Sequence, residues 1–101
     1  GGVNTYPAEA EQVLIDHPQI LDVACIGIPH PVMGEELKAM VILKDDAENA
    51  QADEVIAFCR DRLSHYKCPR SVDFVEDLGR NTMGKINKRK LRAPFWEGHQ
   101  S

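Results

Sequence analysis

The segment ILDVACIGIPHPVMGEELKAMVILK, residues 20–44, decides the fold. Its two ends, 20–28 and 37–44, are rich in apolar and β-branched residues, a composition typical of strands. The intervening PHPVMGEE (29–36) holds two prolines and a glycine, which favour a turn. Because residues 37–44 are almost continuously apolar, they predict a central strand that is covered on both faces of a sheet.

Helical patterns lie on either side of this strand pair. Pro7 suits the first position of a helix, and Pro18 cannot continue one smoothly, so the first helix is predicted to lie between them. A second apolar stripe follows a polar loop and predicts another amphipathic helix. The elements predicted outside 20–44 are helices at 7–17, 52–63 and 87–92, a strand at 71–75 and a loop at 77–85.

The resulting order, α-β-β-α-β-α, predicts an α+β fold in which a small sheet of about three strands packs with helices. The chain has 101 residues, enough for one hydrophobic core but not for two. The last, basic segment has few apolar residues. We therefore expect it to contribute little to that core.

Charge is distributed unevenly along a chain whose net charge is −4. Residues 1–57 contain eleven acids and two bases, whereas GRNTMGKINKRKLR (79–92) contains six bases and no acid. Such a segment on an acidic body predicts an anionic partner at one end of the molecule. A nucleic-acid module would need stacking aromatics beside its basic face, and only Phe95 and Trp96 lie near it. A stand-alone anion- or nucleic-acid-binding module is kept as an alternative, although no nucleic-acid partner is expected.

Several classes of protein and site are not indicated. No apolar run approaches the ~18 residues that a transmembrane helix requires, so no membrane span is predicted. Cys25, Cys59 and Cys68 are odd in number and lack CxxC spacing, which favours reduced thiols and a cytoplasmic location. The four histidines are scattered without ligand spacing, so no metal site is predicted.

The stretch RNTMGKIN (80–87) is the strongest candidate for chemistry. Asn81 and Gly84 are turn formers, and they would support a loop that presents Lys85. A lysine ammonium suits an oxyanion or a phosphate, because it needs no planar fit. The Gly-Lys pair lacks the pattern of a phosphate-binding P-loop, however, so an ordinary surface lysine is the alternative interpretation.

Four stretches, in this order and spacing, identify a resemblance to a known family. GGVNTYPAEAE (1–11), VACIGIPHPVMGEELKAMVIL (23–43), YKCPRSVDFVEDL (66–78) and RNTMGKINKRKLR (80–92) resemble the C-terminal domain of the adenylate-forming enzymes. That superfamily includes acyl-CoA synthetases, firefly-luciferase-like enzymes and the adenylation domains of peptide synthetases. The resemblance covers 1–97 as one mobile C-terminal domain and leaves 98–101 as a tail. The ending LRAPFW (91–96) resembles fatty-acid-type acyl-CoA synthetases in particular.

The resemblance implies a two-step, ATP-dependent reaction. A carboxylate attacks the α-phosphate of ATP to give an acyl-adenylate, and the thiol of coenzyme A then displaces AMP to form a thioester. The C-terminal domain of such enzymes rotates between the steps and presents a different face for each. Lys85 matches the family's adenylation lysine, which implies a catalytic role in the first step.

The same resemblance implies a coenzyme A site for the second step. Gly1 and Gly2 match the segment that lines the pantetheine channel, where a bare backbone lets the pantetheine arm pass closely. In many members of the family a proline precedes the Arg-Asn pair of the loop that carries the lysine, whereas this chain has Gly79 there. We therefore expect a looser loop that keeps its lysine. Further residues implied to lie near coenzyme A are Asn4, Met33, Gly34, Lys67 and Arg70.

The remaining expectations concern parts that the family places outside this chain. A large N-terminal adenylation domain would precede Gly1, bind Mg²⁺ and select the carboxylic acid, so the chain alone is predicted to be inactive. Transfer to a carrier protein, as in peptide-synthetase adenylation units, is an alternative to transfer to coenzyme A.

Overall fold

Within residues 5–47 and 49–99, which the computed structural model describes, the chain contains three helices and three strands in the predicted order. The α+β class with a three-stranded sheet is confirmed. A short 3₁₀ turn at His65–Lys67 precedes the third strand. The elements are α1 (Pro7–Leu14), β1 (Ile20–His30), β2 (Gly34–Leu43), α2 (Ala52–Arg60), β3 (Ser71–Phe74) and α3 (Lys88–Trp96).

Both of the first two helices end three residues earlier than predicted. The expected helix 7–17 stops at Leu14, and the expected helix 52–63 stops at Arg60. His17 is nevertheless buried, because its Nδ1 accepts the Gln19 N–H at 3.0 Å and its ring packs edge-on against Phe58. The helix ends early because the chain turns before Pro18 to enter the sheet.

The sheet has the order β1-β2-β3, so β2 is the central strand as predicted. β1 and β2 form an antiparallel hairpin in which His30 pairs with Gly34. The His30 imidazole closes its turn by accepting the N–H groups of Val32 and Met33 at 3.1 and 3.0 Å. β3 then pairs with β2 in parallel, from Ser71 opposite Lys38 to Phe74 opposite Val41.

Both faces of the β1–β2 hairpin are buried, and each has its own cluster. Successive residues of a strand point to opposite faces, so Val23 and Cys25 face one cluster and Ala24 and Ile26 the other. The first cluster is completed by α1, α2 and Cys68. The second cluster is completed by Leu78 and by residues that follow it.

The basic C-terminal segment covers the second face, so the expectation that it contributes little to the core is wrong. Ile86, Leu91 and Phe95 pack against that cluster, and α3 runs to Trp96 rather than ending near 92. Pro94 lies inside α3 and removes one helical hydrogen bond. Burial of the apolar side chains on the sheet offsets that loss.

Covering the second face also buries a charge. Lys38 on β2 is only 8% exposed, and its ammonium lies 2.8 Å from a carboxylate oxygen of Asp73 on β3. The same ammonium lies 5.4 Å from the centroid of the Phe95 ring. A buried charge requires a partner. Because Asp73 pairs with Lys38, α3 can cover this face of the sheet.

β1 is an edge strand, and side chains satisfy backbone groups on its open side. The Cys25 N–H donates to Glu11 Oε2 at 2.7 Å, and the Gly27 carbonyl accepts the Trp96 indole N–H at 2.8 Å. The Lys88 ammonium reaches the same Glu11 oxygen at 2.6 Å. α1 and α3 therefore meet at the edge of β1 and shield it from pairing with another chain.

An ion pair also joins the segment before α3 to the start of β1. Arg80 Nε and Nη2 donate to the two carboxylate oxygens of Asp22 at 2.7 and 2.8 Å. The hydrogen bonds from Arg80 are the main reason that the pKa of Asp22 lies below its ordinary value of 3.8. No helix in the described part of the chain is long and apolar enough to cross a bilayer.

Replacing Leu91 by alanine is expected to lower the free energy of unfolding by about 2 kcal/mol, because it removes apolar contacts on the second face of the sheet. Arg92→Ala is the matched control on the same helix, since Arg92 is exposed and its replacement should change stability by less than ~0.5 kcal/mol. Urea unfolding followed by circular dichroism measures both. Equal effects of the two substitutions would contradict the packing described for α3.

Asp22→Asn is expected to destabilise the chain in a pH-dependent manner. Because the folded-state pKa of Asp22 is lowered, its stabilisation is complete above the ordinary pKa and is lost as the pH falls through the lowered value. The two side chains are 43% and 23% exposed, so the expected cost at pH 7 is below ~1 kcal/mol. Urea unfolding from pH 7 to pH 2 should show the difference from wild type shrinking below about pH 4. The control Asp45→Asn, at an exposed position, should show little difference across that range.

Candidate functional site

Lys85 ends a closed, hydrogen-bonded turn formed by residues 81–85. The Asn81 N–H donates to the Lys85 carbonyl, and the Gly84 N–H donates to the Asn81 carbonyl, both at 2.9 Å. The Asn81 side-chain oxygen accepts the N–H groups of Met83 and Lys85 at 2.9 and 3.0 Å. Gly84 has a φ of +83°, which favours glycine. The two residues predicted to support the loop therefore shape its backbone.

The turn projects from the body of the domain. Lys85 is exposed, and the neighbouring Met83 is 80% exposed. An exposed apolar residue next to an exposed lysine is a surface that another protein segment could contact. On the N-terminal side of the turn, Gly79 has a φ of +71° and donates its N–H to Asp77 at 2.9 Å. Proline cannot adopt that positive φ and has no N–H to donate to Asp77, so this backbone conformation depends on glycine.

A cleft between the 65–70 segment and the start of β2 brings together three of the residues implied for coenzyme A. Met33, Lys67 and Arg70 all line a narrow cavity of about 60 Å³. An open depression of about 550 Å³ adjoins it, and Arg70 lines both. Gly34 begins β2 beside this cleft with a φ of +83°. Gly1, Gly2 and Asn4 lie outside the described residues; Thr5, the first described residue, lines the narrow cavity.

The cations of this cleft differ in their surroundings. The Lys67 ammonium lies 2.9 Å from a Glu9 oxygen, and this hydrogen bond is the main reason that the pKa of Lys67 is raised. The same ammonium lies 5.0 Å from the Tyr6 ring centroid and 5.7 Å from that of Tyr66. Arg70 is exposed, while its backbone N–H donates to the Leu37 carbonyl at 2.9 Å. Arg70 is thus fixed at its backbone, and its exposed side chain lines the depression.

Sequence reasoning did not find the tyrosines of this cleft. The Tyr6 and Tyr66 rings meet edge to face, with centroids 6.1 Å apart, and Tyr66 is 66% exposed. Tyr66 directly precedes Lys67 in the motif YKCPRSVDFVEDL, and this neighbouring base is the local signal that could have marked it. An exposed aromatic ring beside a cation is a surface on which a planar or thin ligand can lie.

A second depression, of about 480 Å³, lies against α3. It is lined by both signs of charge, with Arg89 and Arg92 facing Glu35 and Glu97 around the Trp96 ring. Of the predicted site residues that the structure describes, none lines this depression.

The three cysteines lie in the interior of the fold as free thiols. Cys25, Cys59 and Cys68 are all buried and reduced. Burial raises the pKa of the Cys59 thiol to about 12, so it remains protonated at neutral pH. Among residues 5–47 and 49–99, no group of three or more potential ligands gathers as a metal site.

Comparisons with known proteins agree with the motifs and with the fold. The profile of the AMP-binding enzyme C-terminal domain family matches residues 9–85. The mitochondrial medium-chain acyl-CoA ligase ACSF2 of Danio rerio is 45% identical over 92 residues, covering 91% of this chain and 15% of that protein.

Solved structures give the same result. A fatty acyl CoA synthetase of Mycobacterium tuberculosis superposes with a TM-score of 0.82 and 39% identity, covering 94% of this chain and 18% of that one. ATP-bound MatB from Rhodopseudomonas palustris superposes with a TM-score of 0.85 and 34% identity, covering 99% of this chain and 20% of that one. The chain therefore spans a fifth or less of each of these three proteins. Its sequence motifs, its sheet topology and the family profile agree that the chain belongs to the AMP-binding enzyme C-terminal domain family.

Proposed function

We propose that this chain is the C-terminal domain of an ATP-dependent acyl-CoA ligase. The proposed enzyme joins a carboxylate to the α-phosphate of ATP with loss of pyrophosphate. It then transfers the acyl group to the thiol of coenzyme A with loss of AMP. The names of the similar proteins support this reaction class, since they are acyl-CoA ligases and synthetases. The acyl pocket and the Mg²⁺ site are proposed to lie in the rest of the enzyme, and the isolated chain is proposed to be inactive.

The observation that carries the proposal is the closed 81–85 turn that ends in an exposed Lys85. An ammonium carries three N–H donors and can hold oxygens of the carboxylate and of the α-phosphate at once. Both groups are anionic, so they repel each other until a cation lies between them. In this proposal Lys85 lowers the barrier to adenylation by placing that cation as charge builds in the transition state.

Lys85→Ala in the full-length ligase is expected to slow acyl-adenylate formation by ~10²-fold or more, because the cation between the reacting anions is removed. Pyrophosphate release measures this step. Thioester formation, started from pre-made acyl-adenylate and coenzyme A, should change by less than about twofold. Lys90→Ala, at an exposed position in α3, is the control and should alter neither step. Unchanged adenylation in Lys85→Ala would show that another group supplies the charge.

The coenzyme A site is proposed to be the cleft around Arg70, Tyr66 and Met33. Arg70 is the best candidate for a phosphate of coenzyme A, because a guanidinium can hold two phosphate oxygens in one plane. Lys67 is the second candidate, although it would have to exchange Glu9 for the ligand. The pantetheine arm would continue toward residues 1–4, in keeping with the expectation for Gly1, Gly2 and Asn4.

The two proposed sites are formed by different parts of the fold, which supports a domain that uses different faces in the two steps. Arg80 attaches the Lys85 turn to Asp22 near the start of β1, whereas the hairpin turn with Met33 follows the end of that strand. The eight residue steps from Asp22 to His30 span about 26 Å at the usual strand rise. The segment with Lys85 covers the second face of the sheet, while Cys68 of the cleft packs with the first.

The charge pattern also favours an enzyme domain over a stand-alone polyanion-binding module. Of the six bases in 79–92, Arg80 and Lys88 form ion pairs with Asp22 and Glu11 of the body. Bases that bind the domain's own acids cannot bind a polyanion at the same time without breaking those pairs.

Arg70→Ala is expected to raise the KM for coenzyme A about tenfold in the thioester-forming step, because one charged hydrogen-bonding contact to phosphate is lost. Adenylation should be unaffected. Lys44→Ala serves as the control, since Lys44 is an exposed base beyond the far end of β2. A KM for coenzyme A that equals the wild-type value would place the nucleotide elsewhere on the enzyme.

A further inference from the structure

Arg80 contacts the peptide group that precedes Lys85, and the proposed mechanism does not use it. Its Nε and Nη2 hold the Asp22 carboxylate at 2.7 and 2.8 Å, while its Nη1 donates to the Gly84 carbonyl. The guanidinium therefore donates to a strand residue and to the turn at once. Only a planar group with several fixed N–H directions can satisfy these two partners together.

The Gly84 carbonyl belongs to the same peptide group as the Lys85 N–H. Arg80 holds the carbonyl side of that group, and the Asn81 side chain holds its N–H side at 3.0 Å. A peptide group is planar, so contacts at both its oxygen and its hydrogen restrain the orientation of that plane. The Lys85 carbonyl also accepts the Asn81 N–H at 2.9 Å, which restrains the direction in which the Lys85 side chain leaves the backbone.

The other end of the connection is equally anchored. Asp22 lies in β1, and its Oδ1 also accepts the Val23 N–H at 2.9 Å. β1 in turn pairs with β2 along most of its length. A continuous series of contacts thus runs from the sheet through Asp22 and Arg80 to the peptide before Lys85.

We propose that Arg80 is a positioning residue for adenylation, which holds the Gly84–Lys85 peptide at a fixed angle to β1 through its paired contacts with Asp22 and Gly84. This inference rests on the role proposed above for Lys85. Its physical basis is that a lysine on a four-carbon stem reaches many places, and the rate depends on how often it reaches the one between the two anions. Fixing the Lys85 backbone reduces the number of positions that its ammonium can occupy before the substrate binds.

The test uses the full-length ligase, with the two half-reactions measured separately. Arg80→Ala is expected to lower kcat for pyrophosphate release about tenfold and to leave thioester formation from pre-made acyl-adenylate within about twofold. Arg80→Lys should recover little of the loss, because it keeps the charge but not the planar fork. Asp22→Asn should act in the same direction, and combining it with Arg80→Ala should add little. Arg89→Ala, an exposed arginine of α3, is the matched control.

A second experiment distinguishes positioning from direct contact with the substrate. In a Lys85→Ala background, Arg80→Ala should cause no further loss of adenylation, because the side chain that it positions is absent. A further tenfold loss in that background would overturn the proposal, since Arg80 would then act on the substrate itself. Full activity of Arg80→Lys would overturn it as well, because a positive charge without the planar guanidinium would then suffice.

The outcomes also separate this inference from the function on which it rests. Normal adenylation in Lys85→Ala would refute the role of Lys85, and the inference would fall with it. Impaired Lys85→Ala together with unimpaired Arg80→Ala would refute the inference alone. Thermal melting identifies any variant that fails to fold, and in that case Arg80→Lys and Asp22→Asn provide the same comparison.

Discussion

The structure depends on how β1 is covered. It is a strand at the edge of the sheet, buried on both faces, and its outward backbone groups need partners. Two strands and two helices cannot enclose it, because α1 and α2 lie on one face only. The chain must therefore bring its last segment back across the second face, and the Glu11 and Trp96 contacts close the open side.

This requirement also places the candidate chemistry. The segment that covers the second face carries the 81–85 turn between Leu78 and Leu91, both of which pack on the sheet. A turn that joins two anchored points has little freedom in where it lies. The exposed lysine is thus a consequence of how the core is closed, since the same stretch of chain has to do both.

Local chemistry made much of this structure predictable. Apolar composition predicts the strand pair and the central position of β2, and the prolines between the strands predict the turn. All of these signals lie within a short stretch of sequence. Asn81 and Gly84 were recognisable because their effect on a turn is local. The helix ends were less accurate, because an apolar spacing predicts which residues are buried and not whether the backbone between them stays helical.

What the sequence did not predict depends on contacts between distant residues. Leu91 stands between two bases, and Phe95 lies in the short apolar stretch 93–96. Their packing requires the sheet face that they cover. Arg80 and Asp22 are 58 positions apart, so no local pattern pairs them. The Glu9 partner of Lys67 lies in α1, across the cleft from the motif that drew attention to the lysine.

The bond from Lys88 to Glu11 has a consequence for how Lys85 can travel. Arg80 fastens the chain to β1 before the turn, and Lys88 fastens it to α1 after the turn. Because both flanks of the turn are held to the body of the domain, the turn is expected to move together with that body and not as an independent flap. A displacement of Lys85 larger than the length of its own side chain is therefore expected to involve the sheet and α1 as well as the turn.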